Sequence, residues 1–222
     1  MIDVIYLSAG QGKRAKLGYP KQYARLGGKP IMVHGLEVLR AVQDVGKIII
    51  VTPPGMLHDT WAVFKPYIPL DSICAVEGGE TRQQSVKAGL AQVTTEEVLI
   101  MEAVRPFITT ALVQTVINTP GQMVTPIDKP VATVIDIYGC YYPREAMGQV
   151  QMPQKFETRL LKQAHAIAYT DNMTDDVALV IEMTEIKPVI VPGLEENIKI
   201  TSPLDLKIAE AIYQYRTEKK GE

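Results

Sequence analysis

Short apolar runs alternate along the chain with segments in which apolar residues recur at helical spacing. Four such runs predict buried strands, at residues 4–7, 47–51, 73–76 and 98–101. Helical spacing predicts helices over residues 31–42 and 110–117, and another helix begins at Thr81, where Gln84 completes a capping-box pattern. Strands that alternate with helices favour an α/β fold with a doubly wound, mostly parallel, Rossmann-like sheet. The length suits a single domain over residues 1–222.

The segment at residues 123–156 has a different character, with extended stretches flanked by proline and glycine. Its two extended pieces, 131–138 and 148–152, predict a β-hairpin arm that projects from the sheet. Because an isolated hairpin is marginally stable, we expect the arm to pack against a second copy of the chain and form a homodimer. The alternative is that the arm folds back as antiparallel edge strands.

The carboxyl-terminal part of the chain predicts two more helices. One covers residues 157–168, and the other begins at Ser202-Pro203, an N-cap serine followed by a first-turn proline, and ends at about residue 215.

The loop after the first predicted strand combines glycines with cations. Gly10 and Gly12 free the backbone, and four basic residues follow, Lys13, Arg14, Lys16 and Lys21. Such a loop suits a nucleoside triphosphate better than a dinucleotide. The spacing of Gly10 and Gly12 also matches the NAD-binding fingerprint, but no acidic residue ends the second strand, where that site needs one. The alternative for the loop taken alone is a turn with solvated lysines.

Two more loops follow predicted strands, and ligands bind at the carboxyl ends of parallel strands. Gly78 and Gly79 lead into the helix that begins at Thr81, and this loop can contact a base through backbone and side-chain donors. Glu102 and Arg105 follow the fourth strand. The carboxylate can hold Mg²⁺ against phosphates and the guanidinium can bind a second phosphate, or the two form a surface salt bridge.

Composition narrows the classes of partner. The chain has 23 Lys plus Arg against 25 Asp plus Glu, and this net charge of −2 argues against nucleic-acid or anionic-membrane binding. No signal peptide or membrane-length apolar run is present in the sequence, so we expect a cytoplasmic protein. Two cysteines and three histidines have no metal-binding spacing.

Six motifs in order resemble the 2-C-methyl-D-erythritol 4-phosphate cytidylyltransferase family, which includes the ribitol-5-phosphate cytidylyltransferases. They are Ala9-Gly-x-Gly-x-Arg14 with Pro20-Lys-Gln-Tyr23, Glu77-Gly-Gly-x-Thr-Arg-x-x-Ser-Val86, Ala103-x-Arg-Pro106, Pro153-Gln-x-Phe156, Thr174-Asp-Asp176, and Asn197-Ile-Lys-Ile-Thr201 leading to Asp205-Leu206. The resemblance covers nearly the whole chain.

The resemblance implies that CTP and a polyol phosphate react, with Mg²⁺, to give a CDP-polyol and diphosphate. It implies catalytic roles for Arg14, Lys21, Arg144 and Lys199. The implied nucleotide-binding set is Leu7, Ser8, Ala9, Gly10, Gly12, Gly79, Glu80, Thr81, Arg82 and Ser85. The implied acceptor set is Glu102, Arg105, Arg144, Thr174 and Lys199, with Glu102 also a candidate metal ligand. Arg144 lies in the predicted arm, and in the family this arm completes the site of a second subunit.

The chain departs from the family pattern at three positions. Met101 and Glu102 stand where the family usually has His-Asp, and Met152 stands where it usually has Thr. We expect these changes to fall on the acceptor side, so that cytidylyl transfer is kept. The acceptor is then methylerythritol phosphate, ribitol phosphate or a related polyol or sugar phosphate. The product would serve isoprenoid or cell-surface polymer synthesis. The rival hypotheses are a non-catalytic nucleotide-binding relative and an NAD-dependent oxidoreductase.

Overall fold

A computed structural model describes residues 1–10, 18–167, 173 and 175–221. Twelve strands are described: β1 (Ile2–Leu7), β2 (Arg25–Leu26), β3 (Lys29–Pro30), β4 (Val45–Thr52), β5 (Ile73–Glu77), β6 (Glu97–Glu102), β7 (Met123–Asp128), β8 (Val134–Ile135), β9 (Tyr141–Tyr142), β10 (Gln149–Val150), β11 (Gln154–Glu157) and β12 (Val189–Pro192). Seven α-helices are described: α1 (Ile31–Arg40), α2 (Leu57–Phe64), α3 (Arg82–Leu90), α4 (Thr110–Asn118), α5 (Thr158–Ile167), α6 (Asp176–Thr184) and α7 (Pro203–Gly221).

The molecule is built on an eight-stranded central sheet in the order β10-β7-β11-β6-β1-β4-β5, with β12 beside β7. Strands β6, β1, β4 and β5 are parallel, while β11 runs antiparallel to both β6 and β7. The middle of each central strand is apolar and buried, as at Ile5, Ile49 and Ile100, because both faces of the sheet are covered. The predicted α/β fold is confirmed.

Strand register brings the carboxyl ends of the central strands to one edge. Leu7 pairs with Val51 on one side and with Glu102 on the other, and Val51 pairs with Val76. The loops that follow β1, β5 and β6 therefore leave the sheet at the same level.

The ends of the helices follow local capping chemistry. Thr81 caps α3, since its hydroxyl accepts a hydrogen bond from the Gln84 N–H at 3.1 Å and the Gln84 side chain accepts one from the Thr81 N–H. Ser202 and Asp205 form the equivalent reciprocal pair at α7. That helix continues to Gly221, beyond the predicted end. No described helix combines the length and the apolar character that a membrane crossing requires.

The region predicted as an arm differs from the expectation of two long strands. Residues 131–138 contain only the two-residue strand β8, which pairs with β9 across a turn that includes Gly139. The second predicted piece does not pair with the first, and its Gln149–Val150 strand joins β7 in the central sheet. Residues 129–148 lie outside that sheet, whereas β7 and β11 are part of it.

Candidate active site

A cavity of about 410 Å³ opens where the three loops meet. Nine of the ten predicted nucleotide-binding residues line it: Leu7, Ser8, Ala9, Gly10, Gly79, Glu80, Thr81, Arg82 and Ser85. Two predicted catalytic lysines, Lys21 and Lys199, and the predicted acceptor residue Glu102 also line it. Gln22 and Val104 also line it and were not singled out from the sequence. Three predicted site residues, Gly12, Arg14 and Thr174, lie outside the described residues.

Gln22 holds the first loop in shape. Its side-chain Nε2 donates hydrogen bonds to the backbone carbonyls of Ser8 at 2.6 Å and Gly10 at 3.1 Å. Gln22 is buried, and it follows Lys21 directly in a short 3-10 helix, Lys21–Tyr23. One side chain therefore fixes the start of the glycine loop relative to the backbone that carries Lys21. Gln22 is part of the Pro-Lys-Gln-Tyr motif, but the motif does not show which backbone groups the glutamine side chain contacts.

Glycine is required where the second loop touches the first. A Cβ atom on Gly78 would lie 2.6 Å from the Ser85 hydroxyl and 2.9 Å from the Ala9 Cβ. The Gly79 N–H donates to the Ser85 hydroxyl, which in turn donates to the Thr81 carbonyl at 2.9 Å. Ser85 thus anchors the loop, while Ser8 on the opposite side has a buried hydroxyl without a hydrogen-bond partner among the residues described.

Glu102 stands among three cations. Its carboxylate lies 2.6 Å from Lys199 Nζ, 3.3 Å from Arg105 Nε and 4.0 Å from Arg82 Nε. Burial alone would raise the pKa of Glu102, but the charges of Lys199, Arg82 and Arg105 hold it below its usual value. The carboxylate is therefore ionised at neutral pH and organises the surrounding positive charge.

Arg105 supports the cavity through contacts with the neighbouring segment. It is not among the residues that line the cavity, and its Nη1 donates to the Asn197 carbonyl at 2.7 Å. Asn197 is fully buried and donates through its side chain to the Met152 carbonyl. These contacts fix the segment that carries Lys199.

Arg144 lies away from the cavity of its own chain. It is half exposed, and its guanidinium contacts the Val131 carbonyl at 2.9 Å and the Glu145 carboxylate at 3.3 Å. The assignment of Arg144 to the site of a second subunit stays a prediction.

The donor set does not form a metal site of its own. No group of three His, Cys, Asp or Glu side chains suited to a metal ion occurs among the described residues. Glu80 and Glu102 are the carboxylates lining the cavity within that part of the chain, and Lys199 and Arg105 already engage Glu102. The assignment of Mg²⁺ to Glu102 is untested, and these contacts do not favour it.

Two of the three departures from the family pattern do not face the cavity. Met101 is fully buried in the sheet and Met152 is 2% exposed, and both belong to the main hydrophobic core. The expectation that the change at Met152 falls on the acceptor side is therefore not supported by any contact of this side chain with the cavity. Glu102 alone of the three lines the cavity.

Comparisons with known proteins show which family the chain resembles. The family model described as IspD, 2-C-methyl-D-erythritol 4-phosphate cytidylyltransferase, matches residues 2–215. The chain is 36% identical to a protein of that name from Bacteroides thetaiotaomicron over 95% of this chain and 98% of the relative, and 34% identical to one from Halalkalibacterium halodurans over 95% and 96%.

Solved structures show the same likeness. The 4-diphosphocytidyl-2C-methyl-D-erythritol synthase of Anaerococcus prevotii superposes with a TM-score of 0.84 at 27% identity, over 96% of each chain. The 2-C-methyl-D-erythritol 4-phosphate cytidylyltransferase of Thermus thermophilus gives 0.75 at 29% identity, over 96% of this chain and 100% of the other. These findings contradict the oxidoreductase hypothesis, because the matching relatives are named as cytidylyltransferases. The chain belongs to the 2-C-methyl-D-erythritol 4-phosphate cytidylyltransferase family and is a CTP-dependent nucleotidyltransferase.

Proposed function

We propose that this protein transfers the cytidylyl group of CTP to 2-C-methyl-D-erythritol 4-phosphate, in isoprenoid biosynthesis. The observation that carries the proposal is that Lys21 and Lys199, which are remote in sequence, line one cavity together with the glycine loop. The relatives that match over almost the full chain carry this substrate in their names.

In the proposed reaction a phosphate oxygen of the acceptor attacks the α-phosphorus of CTP. A new P–O bond forms, and the bond from the α-phosphorus to the bridging oxygen breaks, with its electron pair leaving on diphosphate. Negative charge grows on the α-phosphate and on the leaving group, so catalysis consists of positioning and charge neutralisation.

The cavity residues divide between the two substrates. Lys21, with Arg14, neutralises the α-phosphate and the diphosphate. Lys199, with Arg144 of a second subunit, holds the acceptor phosphate for attack. The loop of Gly79 and Ser85 surrounds the cytosine and ribose.

The proposed metal comes with the nucleotide. Mg²⁺ bound through phosphate oxygens would offset the charge of the triphosphate, which agrees with the small number of carboxylates in the described part of the cavity. We also propose that the reaction takes place in the cytoplasm, where CTP is available.

Glu102 favours a second candidate acceptor. This carboxylate faces the cavity with one methylene more than the aspartate usual in the family, which displaces its oxygens by about an ångström. Ribitol 5-phosphate or another polyol phosphate is the alternative that this difference suggests.

The test is to incubate the purified protein with CTP, Mg²⁺ and each of several polyol phosphates and to measure diphosphate release. We expect turnover with methylerythritol phosphate, and faster turnover of a different polyol phosphate would establish the alternative. Lys21→Met should lower the rate about a hundredfold, since it removes one preorganised cation. Lys65→Met, at an exposed lysine on another face, is the control and should leave the rate unchanged. Release without any acceptor dependence would contradict the proposal.

A further inference from the structure

A histidine and an aspartate are buried together behind the wall of the cavity. His165 lies on α5, and Asp176 is the first residue of α6. They are 2% and 1% exposed, and His165 Nε2 lies 3.0 Å from Asp176 Oδ1. Because an ionised carboxylate only accepts hydrogen bonds, Nε2 carries the proton and donates it to this contact.

The second oxygen of Asp176 reaches a residue of the cavity. Asp176 Oδ2 lies 2.6 Å from Arg82 Nη2, and Arg82 lines the cavity at the start of α3. Burial alone would raise the pKa of Asp176, but Arg82 and His165 lower it to about 2. Asp176 is therefore a charged partner at neutral pH, and contacts run without a break from His165 through Asp176 to Arg82.

Packing alone does not explain His165. Its Nδ1 is buried without a hydrogen-bond partner among the residues that the structure describes, and burying an unpaired polar atom costs free energy that an apolar side chain of similar size would avoid. What the imidazole supplies is a donor that fixes Oδ1 of Asp176. With Oδ1 fixed, Oδ2 is turned toward Arg82.

Arg82 needs such a partner to face the cavity reproducibly. Its guanidinium lies between Asp176 and Glu102, whose Oε1 is 4.0 Å from Arg82 Nε, and a long flexible side chain loses several rotamers when it is held there. We propose that His165 is a positioning residue, which acts through Asp176 to hold the guanidinium of Arg82 in place for CTP. This inference rests on the proposed function, since it assumes that the nucleotide occupies the cavity.

Three substitutions of His165 separate positioning from packing. His165→Gln keeps an N–H donor at the reach of Nε2, His165→Asn places its N–H at the reach of Nδ1 instead, and His165→Met fills the space without a donor. Isothermal calorimetry with CTP and Mg²⁺ should give a Kd about tenfold weaker for Met and Asn, while Gln stays within about threefold of the unmodified protein. A packing role predicts the reverse order, with Met the best tolerated variant, and that result would overturn the inference.

A double-mutant cycle tests whether the effect passes through Arg82. In an Arg82→Met background, His165→Asn should weaken CTP binding no further, because there is no guanidinium left to position. An equal loss in both backgrounds would overturn the proposal.

The unmodified protein distinguishes failure of this inference from failure of the proposed function. If the unmodified protein neither binds CTP nor releases diphosphate, the proposed function is refuted and the inference falls with it. Normal behaviour of the unmodified protein together with a normal Kd for Asn and Met refutes only the role of His165.

Discussion

The charged side chains around the cavity hold one another in place through ion pairs within the chain. Glu102 contacts Lys199 and Arg105, and Arg82 lies between Glu102 and Asp176. Alternating signs allow the partly buried cations to stay in place without substrate, since each one has a counter-ion at short range. Preorganised cations of this kind need little rearrangement when phosphates arrive, which is the condition for strong electrostatic catalysis.

Gln22 provides a prediction at the same scale. Gln22→Met keeps the length and bulk of the side chain but removes both donors, so the carbonyls of Ser8 and Gly10 lose their partner. We expect the KM for CTP to rise about tenfold or more, with a smaller effect on the KM for the acceptor, because the bonds shape the nucleotide loop. Steady-state kinetics with each substrate varied in turn measure the two effects separately.

An exposed glutamine supplies the comparison for that experiment. Gln43→Met, in the connection between α1 and β4, makes the same chemical change at the surface and should leave both KM values unchanged. Equal KM values for CTP in the Gln22 variant and the unmodified protein would show that the loop keeps its shape without the two bonds.

At the scale of elements, the central strands and their loops were predictable because they are coded locally. The strand at residues 4–7 and the capping box at Thr81 both appear in the sequence as contiguous patterns. The position of β11 in the sheet was not predictable, because a four-residue sequence carries no pattern that identifies β6 and β7 as its neighbours. Likewise, the sequence shows Asp176 only as part of the Thr-Asp-Asp motif, and its contacts with Arg82 and His165 appear only in the folded structure.

Helix α7 connects the segments that carry the two cavity lysines. A small hydrophobic cluster joins Ala24 and Leu26, just after Lys21, to Ile198 and Ile200, which flank Lys199, and α7 contributes Ala209 and Tyr213 to it. The Tyr213 ring packs directly against the backbone of Gly27, where a Cβ would lie 2.0 Å from the ring Cζ. The closeness of this packing leaves no room for a methyl group at Gly27 unless the Tyr213 ring moves.

Gly27→Ala should therefore disturb both stability and activity. Gly27 has φ +53°, so alanine there meets backbone strain of about 1–2 kcal/mol and a clash with Tyr213 in addition. We expect a lower midpoint of thermal unfolding and a lower kcat/KM, because the Tyr213 ring must move from its place beside the segment that carries Lys21.

The neighbouring glycine separates strain from clash. Gly28 has φ +82°, but no atom lies within 4 Å of the position that a Cβ would occupy, so Gly28→Ala carries the strain alone and should lose stability with little loss of activity. Adding Tyr213→Ala to Gly27→Ala removes the clash and should restore part of the activity. Identical behaviour of the two alanine variants would show that Tyr213 does not transmit the change.

At the scale of the whole molecule, the segment 129–148 presents apolar side chains to solvent. Five of them are between 61% and 91% exposed: Val131, Ile135, Ile137, Tyr138 and Tyr141. A group of exposed large apolar residues on a projecting segment is typical of a surface that another molecule covers. A second copy of this chain is the proposed partner, and Arg144, which lies in the same segment, would then reach the partner's cavity.

Mixing two inactive variants tests that arrangement. If each site combines Lys21 of one subunit with Arg144 of the other, a heterodimer of Lys21→Ala and Arg144→Ala subunits has one intact site and one doubly defective site. Random reassociation makes half of the dimers mixed, so diphosphate release should recover to about a quarter of the normal rate per chain. The matched control pairs Lys21→Ala with Lys199→Ala, whose lysines line the same cavity of one chain, so no intact site can form. Recovery in both mixtures would contradict the placement of Lys21 and Lys199 in one site of the same chain. Recovery in neither, with heterodimers verified by mass spectrometry, would remove Arg144 from the site of the second subunit.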